Sequence, residues 1–176
     1  MDALSKEQLL ALLAAARAAR TRDWLMILVA FWHGLRASEV IALTRDSLED
    51  GMITVSRLKG SNRTVQPLVK HDDPLLDEAT ALFDFARGMH RNQRLFPITR
   101  ERFWQVVQEH GKRAGIPARL RHPHILKHSF AMQFIQSIGI ENVRQYLGHK
   151  SISSTGAYLK VSDAEAAASV QRALKG

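Results

Sequence analysis

The chain has 176 residues, is 45% hydrophobic, and carries 25 Lys and Arg against 17 Asp and Glu, a formal charge of +8. That size and apolar content suit one globular domain and exclude a disordered chain or two large lobes. Cysteine is absent, which excludes a disulfide framework, a thiol nucleophile and a thiolate zinc site. The N-terminus has no basic stretch leading into a long apolar core, so it is not a secretory signal. The most apolar run, Trp24 to Trp32, is too short for a membrane span of roughly 20 residues. A basic domain of this kind is drawn to polyanions, nucleic acid first among them.

The pattern along the chain is mostly helical. Ser5-Lys6-Glu7-Gln8 reads as a capping box opening a helix to about Arg20, with Leu9, Leu10, Leu12 and Leu13 on its apolar face. Trp24 to Trp32 is apolar all round and predicts a buried central helix, ended by Gly34. A short helix follows from about Ala37 to Leu43. Met52-Ile53-Thr54-Val55, the turn cluster Gly60-Ser61-Asn62 and Thr64-Val65 predict a small antiparallel β unit with Lys59 beside its turn. Pro67 places its strand at an edge or at its end. Further helices are expected from Pro74 to about Arg87, Thr99 to Ala114, Pro123 (at the first helical position) to about Ser137, and Glu141 to Leu147. Ser151 to Leu159 is read as helical. Ser162-Asp163-Ala164-Glu165 is a second capping box, opening an Ala-rich helix over about 163–174. The fold class expected is mainly α with a small antiparallel β-sheet, in a single domain over 1–176.

Several polar residues sit at these turns and helix starts. Arg36 follows Gly34-Leu35, Lys59 sits at the hairpin, and His124 and Lys127 share a face three residues apart. His149 follows Gly148, and Tyr158 comes nine residues later. Taken singly, each has a bland explanation: an Arg36–Glu39 pair, a solvated turn lysine, helix caps, a packing tyrosine. Gathered together, two lysines, an arginine and two histidines would neutralise a phosphate, and a phenol could then attack phosphorus.

As an ordered set these residues resemble the catalytic domain of the tyrosine recombinases, or phage integrase family. Gly34-Leu35-Arg36-Ala37-Ser38-Glu39-Val40 is similar to the family's first arginine box. Leu58-Lys59-Gly60 through Pro67-Leu68 is similar to its β-hairpin lysine motif. Pro123-His124-Ile125-Leu126-Lys127-His128-Ser129-Phe130-Ala131 is similar to its second box. Leu147-Gly148-His149, then Thr155 and Tyr158, is similar to its last. Four motifs in order over about 20–176 make the resemblance specific. It implies the family's DNA breaking-rejoining fold and a phosphotyrosine mechanism. Tyr158 would be the nucleophile, Lys59 the general acid, and Arg36, Lys127 and His149 the holders of the non-bridging oxygens. His124 would assist on the attacking side, and Glu39 would orient the Arg36 turn. No metal or other cofactor is implied. The partner would be double-stranded DNA, on which the family forms tetramers, in the cytoplasm of a prokaryote or from a phage, at the nucleoid. Arg57, Arg63, Arg119, Arg121 and Lys150 flank the motifs as candidate phosphate contacts.

Two departures stand out. Lys127 occupies the place of the family's second arginine, keeping the charge but losing the planar fork. Losing one charge-assisted hydrogen bond costs about 1.5–3 kcal/mol, roughly 10- to 150-fold in rate if felt fully in the transition state. The expectation is a slowed enzyme. The family's N-terminal core-binding domain is also missing from these residues, so weak, salt-sensitive DNA binding is expected. In the family the segment after the tyrosine docks on a neighbouring protomer. Ala166, Ala167, Val170 and Leu174 have the helical spacing for that, or for docking in cis. Rival readings are a catalytically silent DNA-binding module of the same fold and a type IB topoisomerase-like activity. A zinc hydrolase using His124 and His128 ranks lower, since no Glu follows the first histidine.

Overall fold

The apolar run centred on residue 28 is the element around which the rest is assembled. The structure, a computed structural model, describes residues 2–57, 62–151, 153–156 and 170–171. Helix α1 spans Lys6–Ala19, α2 Thr21–Trp32 and α3 Ala37–Ala42. Three short strands follow, β1 Leu48–Glu49, β2 Met52–Val55 and β3 Thr64–Pro67. The remaining helices are α4 Glu78–Phe85, α5 Arg100–Arg113, α6 His124–Ile138, α7 Ile140–Tyr146 and α8 Ser153–Gly156.

Ser5 caps α1 as expected: its Oγ accepts from the Gln8 N–H at 3.2 Å while Gln8 Oε1 accepts from the Ser5 N–H at 3.0 Å. Leu9, Leu12, Leu13 and Ala16 turn one face of α1 inward. Extended backbone at Arg20 separates α1 from α2. Every residue of α2 from Asp23 to Phe31 is buried, and α1, α4 and α6 all pack against it. Burying a large aliphatic or aromatic side chain is worth roughly 1.5–3 kcal/mol, so α2 anchors the single core.

The sheet is antiparallel in the order β1-β2-β3, with Val55 opposite Thr64 and Met52 opposite Pro67. Pro67 therefore lies on an edge strand, where its missing N–H costs no ladder bond. β1 was not expected from the sequence. It pairs Leu48 with Ile53 through a tight turn in which Asp50 and Gly51 both have positive φ, a turn that the Asp-Gly pair favours.

The helix starts depart most from expectation at α4. α4 begins at Glu78, not after Pro74. The segment before it is a turn in which Asp73 Oδ1 accepts from the Leu75 N–H. The Leu75 and Leu76 carbonyls are held by the Trp24 and Trp32 indoles at 3.0 and 3.1 Å. Asp77 then caps the helix by accepting from the Thr80 N–H. Pro123 is the N-cap of α6, so His124 is its first helical residue. The expected segments carrying Lys59, Tyr158 and the capping box at Ser162 lie outside the described residues. Of the C-terminal segment, Val170 and Gln171 are described; both are helical and exposed. Among the described residues no helix is long and apolar enough to cross a membrane.

Candidate active site

Two glycines set the frame. Gly34 ends α2 with φ +57°, and a Cβ there would stand 2.1 Å from Leu147 Cδ2. Gly148 has φ +68°, and a Cβ there would stand 2.8 Å from the Asn62 carbonyl oxygen and 3.2 Å from Arg57 Cγ. Only glycine meets both the backbone and the space requirements at these points. The Asn62 N–H donates to the Gly148 carbonyl at 2.8 Å. The arginine turn, the β-hairpin and the Leu147-Gly148-His149 turn are thus pressed together, with α6 alongside.

Glu39 is the anion at the centre. Its side chain is wholly buried; Oε2 accepts from the Arg36 N–H at 2.8 Å, and Oε1 accepts from Arg36 Nη1 at 3.2 Å. Burial works to raise its pKa, but the Arg36 backbone donor and the charges of Arg57, Lys127 and Arg36 prevail and hold the carboxyl below its usual range. Glu39 thereby holds the Arg36 turn through both the backbone N–H and the guanidinium.

Arg57 requires a correction. Expected at the surface as a phosphate contact, it has a fully buried side chain paired with Glu39 Oε2 at 3.2 Å. Its guanidinium also donates to the His33, Gly34 and Tyr146 carbonyls, and to Thr64 Oγ1. The fork joins the arginine turn, the hairpin and the end of α7. The sequence carried a partial signal: Ile53 and Val55 are the buried positions of β2, and extending that alternation two residues past the strand turns Arg57 inward without naming its partners.

Four of the expected site residues converge on this frame. Arg36 is partly exposed, with about a third of its side chain open to solvent. Lys127 is 2% exposed, and its Nζ has no hydrogen-bond partner among the described residues. Burial first, then the positive charges of Arg36 and Arg57, push its pKa down to about 7. His149 is buried, with Nδ1 2.9 Å from Thr155 Oγ1. Burial, followed by Lys127, Arg36 and Arg57, lowers its pKa to about 4, so the ring is neutral at pH 7. If the Thr155 hydroxyl donates to Nδ1, the proton sits on Nε2 and can be offered outward. His124 faces solvent at the start of α6; partial burial, then Lys127 and Arg36, lower its pKa too. Its ring meets His128 edge-on at 4.4 Å.

Of the other candidates, Arg63 and Lys150 are exposed beside the hairpin and the His149 turn. Arg119 is exposed and pairs with Asp2 at 2.6 Å. Arg121 folds back along its own loop, Nε donating to the Ile116 carbonyl at 2.6 Å. Lys59 and Tyr158 lie outside the described residues.

Two features were missed from sequence. His33, buried, directs Nδ1 at Gln66 Oε1 and Nε2 at Glu78 Oε1, both at 2.6 Å, tying α2 to β3 and α4 beneath the site. Beside Arg36 and His124 lies an open cleft of about 640 Å³ whose lining includes Arg100, Trp104, Gln105 and His122. Trp104 is 49% exposed, off the apolar face of α5 formed by Phe103, Val106 and Val107. That displaced tryptophan is the readable signal for the cleft.

Such a cluster presents cations and a neutral imidazole to one anionic group, on a frame that cannot be rearranged cheaply. The chain is 31% identical over 169 residues to the tyrosine recombinase XerA of Thermococcus kodakarensis, covering 90% of this chain and 58% of that protein. It spans less than two thirds of the length of the Xer relatives that it matches first. The fold is similar to that of a crystal structure of XerA recombinase, with a TM-score of 0.76 at 22% identity over 98% of this chain and 63% of the other. It is also similar to a lambda integrase tetramer bound to a Holliday junction, at 0.70 and 18% over 86% and 48%. The Phage integrase family matches residues 2–165, and the chain belongs to that family.

Proposed function

We propose that these residues form the catalytic domain of a site-specific recombinase that cuts and rejoins double-stranded DNA through a 3′-phosphotyrosine. The observation that carries this reading is that Arg36, Lys127, His149 and His124, from three separate motifs, lie close enough to perturb one another in a charge cluster braced by Glu39 and Arg57. In the forward step the Tyr158 phenolic oxygen forms a bond to phosphorus as the bond to the 5′-oxygen breaks. Lys59 gives its proton to the departing 5′-oxygen, and the phenolic proton leaves towards His124 or solvent. Arg36, Lys127 and the His149 Nε2–H stabilise the charge growing on the non-bridging oxygens. One phosphoester replaces another, so religation needs no external energy source.

Lysine at position 127 slows the step by the loss of one fork hydrogen bond, and the enzyme remains active. Arg63 and Lys150, with Arg100 and Trp104 of the adjoining cleft, supply contacts to flanking DNA. The domain works on DNA as part of a tetramer, a reading supported by the fold likeness to a lambda integrase tetramer bound to a Holliday junction.

The test is incubation with nicked suicide duplexes of pooled sequence, followed by denaturing electrophoresis. A covalent protein–DNA adduct in the parent chain that is lost in Tyr158→Phe supports the reading. No adduct in the parent or in Lys127→Arg would favour the silent DNA-binding alternative. Supercoil relaxation without strand exchange would favour topoisomerase-like activity.

A further inference from the structure

Lys127 is an ionisable amine buried where its surroundings do not supply a counter-charge of its own. From the arginine turn, Arg36 and Glu39 face it; from the strand end, Arg57; from the turn after α7, His149. His124 and His128 flank it on its own helix. Glu39 is the one carboxylate in this set, and its oxygens already accept from the Arg36 N–H, Arg36 Nη1 and Arg57 Nη1. The Lys127 Nζ is left without a hydrogen bond among the described residues. A proton on it is drawn by Glu39 but repelled by two guanidiniums, and it gains no hydrogen-bond acceptor among the described residues.

A phosphodiester entering the pocket reverses that balance. It brings a negative charge and acceptor oxygens, and it keeps the same single charge throughout the neutral range. We propose that Lys127 stands as a neutral amine in much of the unliganded protein and takes up a proton as a phosphate group seats, making occupancy of this pocket proton-coupled. The inference rests on the phosphate-holding role given to Lys127 above. It is specific to a lysine here, because a guanidinium stays charged at any accessible pH. Consistent with it, burial and the two guanidiniums lower the pKa of the amine to about 7. Linkage then requires anion affinity to weaken as pH rises above neutrality, by about tenfold per unit for one proton.

The test is NMR of the full chain labelled with carbon-13 at the lysine ε-carbons, titrated between about pH 5 and 11. It is run in chloride and in sulfate at matched ionic strength; sulfate is fully ionised over that range. Lys127 is assigned by its absence in Lys127→Arg. Expected are a Lys127 midpoint near neutrality in chloride and an upward shift of about one unit or more in sulfate. Sulfate affinity should fall with pH in the parent chain and hold nearly flat in Lys127→Arg. A midpoint near the ordinary lysine value in chloride overturns the proposal. So does a midpoint that sulfate leaves unmoved, or the same pH-dependent affinity in Lys127→Arg. The suicide-duplex assay is independent of this measurement. An adduct with an unshifted Lys127 overturns the proton coupling alone, and a missing adduct with a shifted Lys127 overturns the recombinase reading alone.

Discussion

Replacing Arg57 by methionine discriminates sharply between a surface phosphate contact and a buried brace. Methionine keeps most of the aliphatic length and removes the guanidinium. Glu39 then loses the Oε2 contact at 3.2 Å while remaining fully buried. Breaking a buried pair from one side costs about 3–5 kcal/mol. The His33, Gly34 and Tyr146 carbonyls and Thr64 Oγ1 also lose a donor, each worth about 1 kcal/mol net and not fully additive. Because these contributions overlap, the expected loss is about 4–6 kcal/mol, a large share of the roughly 5–15 kcal/mol that holds a domain together. Urea unfolding followed by circular dichroism measures it, as a fall in midpoint at constant slope. Arg57→Lys, which keeps the charge without the fork, should fall between the two. If Arg57→Met stayed within about 0.5 kcal/mol of the parent and instead lowered the salt slope of DNA binding by about one, the buried-brace account would be wrong.

Gly34→Ala meets both a positive φ and Leu147 Cδ2 at 2.1 Å, and should cost about 1–3 kcal/mol. Adding Leu147→Ala relieves the clash but not the backbone strain, so partial recovery in thermal melts is expected, and full recovery would contradict the strain. For Lys127 the folded pKa of about 7 lies below its ordinary value of 10.5. Between those two pH values the unfolded chain holds a proton that the folded chain has released, so stability rises with pH across that window. The penalty is fully present below about pH 7, and its relief from pH 7 to 9 should be about 2 kcal/mol. Lys127→Met should be more stable at pH 7 and should lack that rise, as read from chemical denaturation at each pH. Equal pH slopes in the two proteins would refute the argument.

The motifs were legible in the sequence because each is local. Gly34 to Glu39, His124 with Lys127, and Gly148-His149 each lie within one turn or helix start, and the structure shows Arg36, Lys127 and His149 close enough to perturb one another. The helical plan was legible for the same reason: the 3.6-residue pattern of α1 and the apolar density of α2 are visible without tertiary knowledge. Arg57 was misread because its partners come from positions 33, 34, 39, 64 and 146, and only folding collects them. The start of α4 was misplaced because Pro74 is a favoured helix opener, while the Trp24 and Trp32 indoles pin the next carbonyls into a turn. β1 escaped because a two-residue strand has no periodicity to detect.

The contacts that close the pocket also set when it can exist. Gly34 against Leu147 joins positions 147 − 34 = 113 residues apart, and Asn62 to Gly148 joins positions 148 − 62 = 86 apart. Closures of that length come late, after local helix pairing such as that of α1 with α2. At about 5–20 residues per second, a ribosome that has just made Arg36 needs roughly 6–22 s more to reach Leu147. Throughout that interval the growing polypeptide carries its arginine box without the turn that completes the charge cluster. A half-made chain therefore holds the arginine turn with no Leu147-Gly148-His149 turn to pack against, and the charge cluster is assembled only after synthesis has passed it.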